Sequence, residues 1–204
     1  MSLDNMLKKQ KEEMYGSKKK RIEEGTNCLA PYWQVINCLK ELEKAYQEYQ
    51  EETKKNSKIR LYCRCLLLSK KLSILWKKWK KIETSYHANI PIEAEVPLST
   101  IFPHQLTNVH ISAHSHIGEN CIIFHDVTIG SNTLSDSKNH GSPTIGENVY
   151  IGAGSKILGN ITVGNNVRIG ANTTVVKNVE DDTTCVSQEA RLIKHKDRKE
   201  NHQW

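Results

Sequence analysis

Ten aliphatic residues in the second half of the chain fall on a six-residue spacing. Ile111, Ile117, Ile123 and Ile129 form one run, and Ile145, Ile151, Ile157, Val163, Ile169 and Val175 form a second. Gly directly follows many of them (Gly118, Gly130, Gly146, Gly152, Gly164, Gly170), and Asn often stands three places on (Asn120, Asn148, Asn166, Asn172). A fixed period this short predicts a parallel β-helix built from hexapeptides, each giving one short strand with its aliphatic inward and then a turn. Gly and Asn are the residues that tolerate the left-handed backbone such turns use. The same spacing begins earlier, at Ile90, Val96 and Phe102, and then three extra residues precede Ile111. A second interruption separates Ile129 from Ile145, so residues 131–144 are expected to leave the coil as a loop.

The first half of the chain follows another period. Val35, Leu39, Leu42, Tyr46 and Tyr49 alternate steps of four and three, the face of a helix. Glu51 to Ser57 is a polar break. Ile59 to Ile82 then carries eight Lys/Arg and no acid beside Leu66, Leu67, Leu68, Leu72, Leu75, Trp76 and Trp79. Two readings of this basic amphipathic helix stand. It lies on a membrane surface or an anionic polymer, or it buries its Leu/Trp face on the rest of the protein with Lys turned to water. Residues 1–27 are Lys/Glu-rich with little apolar pattern and read as a frayed helix or disordered arm. The expected organisation is therefore a helical region over 1–88, a coil over 89–178, and a cap and tail over 179–204.

Charge sharpens that division. The net +6 is split: residues 1–88 hold 20 Lys/Arg against 11 Asp/Glu, a net of +9, and residues 89–204 hold 9 against 12, a net of −3. The basic character belongs to the helical part, and nothing there resembles a nucleic-acid module, so no nucleic-acid partner is expected. No apolar stretch is long enough to span a bilayer, and the polar start reads as no secretory signal, so a cytoplasmic protein is expected, with contact at the inner face of the membrane if the first reading of 59–82 holds. The six Cys lack metal-site spacing and are expected to be free thiols.

Three hexapeptides make one triangular coil, so every third one stacks on the same face. Phe102, Ile123, Ile151 and Ile169 then share a face, provided the three extra residues after Phe102 bulge outward. Two places after each lies one column: His104, His125, Ala153, Ala171. The next face gives Ala113, Ser131, Gly159 and Lys177, and the third Glu119, Glu147 and Asn165. Two imidazoles above a bare track suggest a base at the head of a groove for a long, thin ligand, because His accepts protons near neutral pH. The plainer alternative is that these are surface histidines and small corner residues.

The residues PTIGENVYIGAGSKILGNITVGNNVRIGANTTVV (143–176) resemble the last coils of serine acetyltransferases and related hexapeptide acyltransferases. FPHQLTNVHI (102–111) and FHDVTIG (124–130) resemble a serine-acetyltransferase-like branch found with capsule and other surface-polysaccharide genes. The resemblance covers about residues 89–193. It implies a left-handed parallel β-helix, which here follows the α-helical N-terminal extension read from the helical period, a homotrimer with sites between subunits, and acetyl-CoA as cosubstrate with no metal required. It also implies direct acetyl transfer with His104 as base. His125 is then a second catalytic candidate, to hold the acceptor, relay a proton or act as base itself. The CoA arm is implied to lie beside Gly130, Ala153 and Ala171, with Lys177 or Arg191 meeting its phosphates.

Three departures from serine acetyltransferases bear on the acceptor. Asn89 stands where an Asp would orient the base. Ser142 stands where a serine-holding His would lie, with His140 two residues early. No large helical N-terminal domain is recognisable. The expectation is therefore an O-acetyltransferase acting on a sugar hydroxyl of a surface polysaccharide or its precursor. Serine O-acetylation for cysteine synthesis, N-acylation of an amino sugar and a non-catalytic hexapeptide scaffold are the alternatives.

Overall fold

The structure is a computed structural model that describes residues 28–52 and 55–188. The expected arm over 1–27 lies outside these, as does the end of the chain beyond 188. Two helices lead, α1 (Ala30–Glu51) and α2 (Lys55–Tyr86). Twelve short strands follow: β1 (Pro103–Leu106), β2 (His110–Ile111), β3 (His116–Ile117), β4 (Ile122–Ile123), β5 (Thr128–Gly130), β6 (Thr144–Ile145), β7 (Tyr150–Ile151), β8 (Lys156–Leu158), β9 (Thr162–Val163), β10 (Arg168–Ile169), β11 (Thr174–Val175) and β12 (Thr184–Cys185).

The strands form three parallel sheets, β4-β7-β10-β12, β2-β5-β8-β11 and β3-β6-β9, the three faces of a left-handed parallel β-helix. Ile123 pairs with Ile151 and Ile151 with Ile169, as the six-residue period requires. Ile129 pairs with Ile157, and Ile145 with Val163. Ile101 bridges Ile122 and so brings Phe102 into the first face. The register inferred from the sequence is the register of the fold.

The interior holds two rows of side chains where the sequence reading named one. Val109, Ser115, Cys121, Val127, Val149, Ser155, Ile161, Val167 and Thr173 each precede a ladder aliphatic by two places, and all are buried. Strand alternation puts i and i−2 on one side of the backbone, so each hexapeptide turns two residues inward. The two serines find partners at the corner, Ser155 Oγ donating to Gly152 O at 2.7 Å and Ser115 Oγ lying 2.8 Å from Ser112 Oγ, whereas the buried Thr173 Oγ1 has no hydrogen-bond partner among the described residues.

The turn chemistry divides between Asn and Gly in a way the composition alone did not show. Asn120, Asn148, Asn166 and Asn172 have φ of 55–60°, the left-handed bend. The glycines after the ladder residues do not. A Cβ on Gly118 would stand 2.5 Å from the Gly146 carbonyl of the next coil, so Gly is there to let two backbones approach.

The three extra residues after Phe102 do not simply bulge outward. Gln105 (φ 56°) and Asn108 (φ 51°) make the bends, while Leu106 is fully buried between Phe102 and Val109. The insertion thus adds a residue to the core and still leaves His104 and His125 in one column. The second interruption leaves the coil at Ser131 and returns at Pro143, closed at its neck by Asn132 and Gly141, whose backbones exchange hydrogen bonds of 2.8 and 2.9 Å. The coil also runs past residue 178: Val179 bridges Val163, and β12 pairs with β10.

α1 and α2 pack antiparallel, with Arg64 against Glu48 at 3.1 Å near one end and the Tyr32 ring edge-on to Trp79 at 5.4 Å near the other. The buried stripe of α1 is Tyr32, Val35, Cys38 and Ala45, and Tyr46 from the expected face is exposed. Trp79 is fully buried, and Leu72 and Leu75 pack against the core. The apolar pattern of 59–82 is thus only partly used in packing: Leu66, Leu67, Ile74 and Trp76 are exposed. No helix among the described residues is long and apolar enough to cross a bilayer. The pair sits on the open first coil: Glu83, itself buried, accepts from Ile90 N at 2.7 Å, Asn108 N donates to Tyr86 O at 2.7 Å, and Tyr32 OH donates to Ala94 O. Backbone groups at the end of a β-helix need such cover.

Candidate active site

His104 and His125 come from consecutive coils of one face, and their rings stack with centroids 4.6 Å apart and planes inclined by 30°. The two Nδ1 atoms lie 2.7 Å apart, a hydrogen bond in which one ring must donate and the other accept. Phe124 closes one side, edge-on to His104 at 5.5 Å, and Tyr150 follows at 5.2 Å from Phe124. His104 is exposed, His125 half-buried. Thr107 Oγ1 donates to His104 O at 3.0 Å, fixing the bend from which the ring projects.

A polar chain stands behind His125. Asp126, in the left-handed conformation (φ 58°), puts Oδ2 at 3.8 Å from His125 Nε2. Its other oxygen accepts from Asn108 Nδ2 at 2.7 Å, and Asn108 Oδ1 lies 3.0 Å from His110 Nε2. Lys156 Nζ donates to the Asp126 backbone carbonyl at 2.6 Å. None of Asp126, Asn108 and His110 was singled out from the sequence. The spacing carried a signal: Asn108 and Asp126 are one eighteen-residue coil apart at equivalent corners.

Below the imidazoles the column continues as small residues. Gly154 N donates to His125 O at 3.0 Å, and Asn172 N donates to Ala153 O at 2.8 Å, so Ala153 and Ala171 follow His125 coil by coil. Ala153 is half-buried and Ala171 exposed. No large side chain of this column interrupts the track, which fits a thin, flexible ligand. Gly130 belongs to the neighbouring face, where a Cβ would press on Leu158 at 2.9 Å. Lys177 is exposed, next to Val176, whose carbonyl accepts from Asn139 of the 131–143 excursion at 3.2 Å. Arg191 lies outside the described residues.

The remaining candidates do not join the pair. Asn89 is held in the ladder beside His110, and no hydrogen bond joins it to His104 among the described residues; the partner of His104 is His125. Ser142 Oγ donates to Ala113 O at 2.8 Å and fastens the foot of the excursion. His140 is exposed on that excursion. Cys121 is fully buried, and burial pushes its thiol up to about 11, which leaves it protonated near neutrality. No group of three His, Cys, Asp or Glu among the described residues is arranged to hold a metal ion.

The chain is also similar to known proteins. Residues 142–177 match the family described as bacterial transferase hexapeptide (six repeats). Over 137 residues the chain is 38% identical to serine acetyltransferase 1, chloroplastic, of Arabidopsis thaliana, a match covering 63% of this chain and 43% of that protein. The chain therefore spans less than half the length of that curated relative. Among solved structures, serine acetyltransferase from Neisseria gonorrhoeae in complex with serine is 25% identical, with a TM-score of 0.50 over 81% of this chain and 72% of that one. Isoform 3 of Entamoeba histolytica serine acetyltransferase shares the fold, with 22% identity and a TM-score of 0.52 over 96% of this chain and 77% of that one. That span takes in both helices, so the helical part has a counterpart the sequence did not reveal. These likenesses overturn the expectation of a capsule or surface-polysaccharide acceptor. Every one of these named proteins is a serine acetyltransferase, and the three departures that argued against serine lie outside the His104–His125 geometry or are tied up in the scaffold.

Proposed function

We propose that this protein transfers an acetyl group from acetyl-CoA to the hydroxyl of serine, with His104 as general base. The observation that carries the reading is the stacked His104–His125 pair at the head of a track of small residues on a hexapeptide coil. His104 takes the hydroxyl proton on Nε2 as the serine oxygen attacks the thioester carbonyl. It then gives that proton to the departing thiolate, so one C–O bond forms and one C–S bond breaks without an acyl-enzyme. A base so placed contributes roughly 10²–10⁴ in rate. Cys121, neutral and buried, takes no part.

The track suits the donor. Ala153 and Ala171 leave the backbone open to a pantetheine arm, with Gly130 on the neighbouring face and Lys177 as a point charge for phosphate. Arg191 keeps the same proposed task. The stripe is open: His104 and Ala171 both face solvent. A site that must exclude water needs a second wall, which supports a homotrimer with sites between subunits. Serine as acceptor is supported by the names of the relatives, including the Neisseria gonorrhoeae enzyme in complex with serine. Ser142 and His140, at the foot and on the flank of the excursion, are the groups of this chain closest in sequence to a serine-holding position; Asn89 acts only in the scaffold.

Thiol release from acetyl-CoA with and without L-serine tests the reading. Serine-dependent release that falls about 100-fold or more in His104→Ala, with the variant still folded, is the expected outcome. Acetyl-CoA that binds but is never turned over with serine would overturn the acceptor. Failure to bind acetyl-CoA by calorimetry would overturn the enzyme.

A further inference from the structure

We propose that His125 is the positioning residue of this site, standing in for an orienting carboxylate and deciding which nitrogen of His104 is basic. This rests on the reading of His104 as base. A neutral imidazole carries one N–H, so at an Nδ1–Nδ1 contact of 2.7 Å exactly one ring is the Nδ1–H tautomer and the other the Nε2–H tautomer. The surroundings break the tie. Asp126 Oδ2 lies 3.8 Å from His125 Nε2, beyond a hydrogen bond but within ion-pair reach, and favours the proton at that nitrogen. The orientation of Asp126 is itself fixed. A carboxylate only accepts, so Asn108 presents Nδ2 to it at 2.7 Å, and Asn108 Oδ1 then accepts from His110 Nε2 at 3.0 Å.

With its proton on Nε2, His125 has a lone pair on Nδ1. His104 therefore donates from Nδ1 and keeps its lone pair on Nε2. That nitrogen has no hydrogen-bond partner among the described residues, and its ring is exposed. The basic atom is thus the one turned outward, where an acceptor hydroxyl arrives. As His104 gains the hydroxyl proton its charge is shared through the Nδ1–H bond toward His125, whose far side faces Asp126. Asn89, at the position that suggested an orienting residue, is not needed.

The test reads tautomers directly. The intact protein, labelled with ¹⁵N-histidine and studied at a pH where both rings are neutral, should show His104 protonated on Nδ1 and His125 on Nε2, assigned through His104→Gln and His125→Gln. The reverse pair, or two Nε2–H rings, overturns the proposal. This readout needs no turnover, so it decides the proposal even if serine proves not to be the acceptor. Kinetics supply the second arm. His125→Phe keeps a ring in the stack but accepts no proton bond, and should lower kcat on the order of 10²-fold, short of the roughly 10⁴ lost when the orienting Asp of a triad is replaced, with the acetyl-CoA KM within about twofold. His125→Gln, whose amide oxygen can accept from His104, should recover about tenfold of that loss. A kcat for His125→Phe within about threefold of the native value overturns the proposal, because a wrong tautomer must cost more than that.

Discussion

Two corners of this coil carry a paired histidine, and they look alike only on a list of residues. At one, His116 Nδ1 meets Glu95 Oε2 at 2.5 Å beside a cavity of about 700 Å³ between α1 and the first coil, lined by Trp33, Lys40, Ile92 and Leu98 among others. At the other, His104 meets His125 on an open stripe. By general criteria the first corner is the better site, with a concavity and a His–carboxylate pair. Its pair is nonetheless a surface pair: the His116 and Glu95 side chains are 54% and 73% exposed. It occupies the ladder position facing directly outward, and the column two places beyond it is acidic (Glu119, Glu147), which repels a phosphate-bearing ligand. The His104 corner has the reverse properties, a polar chain backing the imidazole that touches His104 and small residues below it. If the second wall of the proposed site comes from a neighbouring subunit, the concavity of one subunit is a poor guide to it.

The largest effect should separate these corners outright. With acetyl-CoA and serine, His104→Ala should cost kcat about 100-fold or more, and His116→Ala should leave kcat and both KM values within about twofold. Equal losses at the two corners would move the site to the cavity. The next effect is on the donor. Ala171→Trp fills the exposed end of the track and should raise the acetyl-CoA KM about tenfold, roughly 1.4 kcal/mol of lost binding, while kcat at saturation stays near the native value. Thr162→Trp, equally exposed on the His116 face, is the control and should change neither. An unchanged KM in Ala171→Trp would remove the track from the site.

How much of this was legible beforehand follows from what a period can encode. The six-residue spacing fixed which residues stack, so His104, His125, Ala153 and Ala171 could be put in one column by counting. It could not say that Leu106 points inward, because an insertion breaks the count and local packing decides its path. Ser115, Ser155 and Thr173 hid the second core row, since polar residues mask a hydrophobic pattern even where, as at Ser155, corner carbonyls accept from them. Asp126 and Asn108 escaped notice because they matter through left-handed bends that aim their side chains, a property of φ and not of residue type. The α1 face was misjudged by one position for a related reason: Ala45 and Cys38 bury more readily than Tyr46, whose ring is 54% exposed. The acceptor was misread from three departures, two of them substitutions (Asn89 and Ser142) that prove to be held in the scaffold.

The smallest effect belongs to the ion pair at the cavity, and its smallness is informative. Glu95→Gln removes one charge from a pair in which both side chains are mostly in water. Solvent-exposed pairs contribute about 0–1 kcal/mol, because high dielectric weakens the attraction and ordering two side chains costs entropy. The amide keeps an oxygen that can accept from a neutral His116, so even the hydrogen bond has a replacement. Denaturant unfolding of Glu95→Gln should therefore show a loss below about 1 kcal/mol, with serine acetylation unchanged. Raising ionic strength in the native protein should reproduce most of that loss, since screening acts on exposed pairs first. A loss several times larger, insensitive to salt, would mean that the pair is desolvated in the assembled protein. The cavity would then be covered by another subunit, and the second wall would fall at this corner instead of at His104.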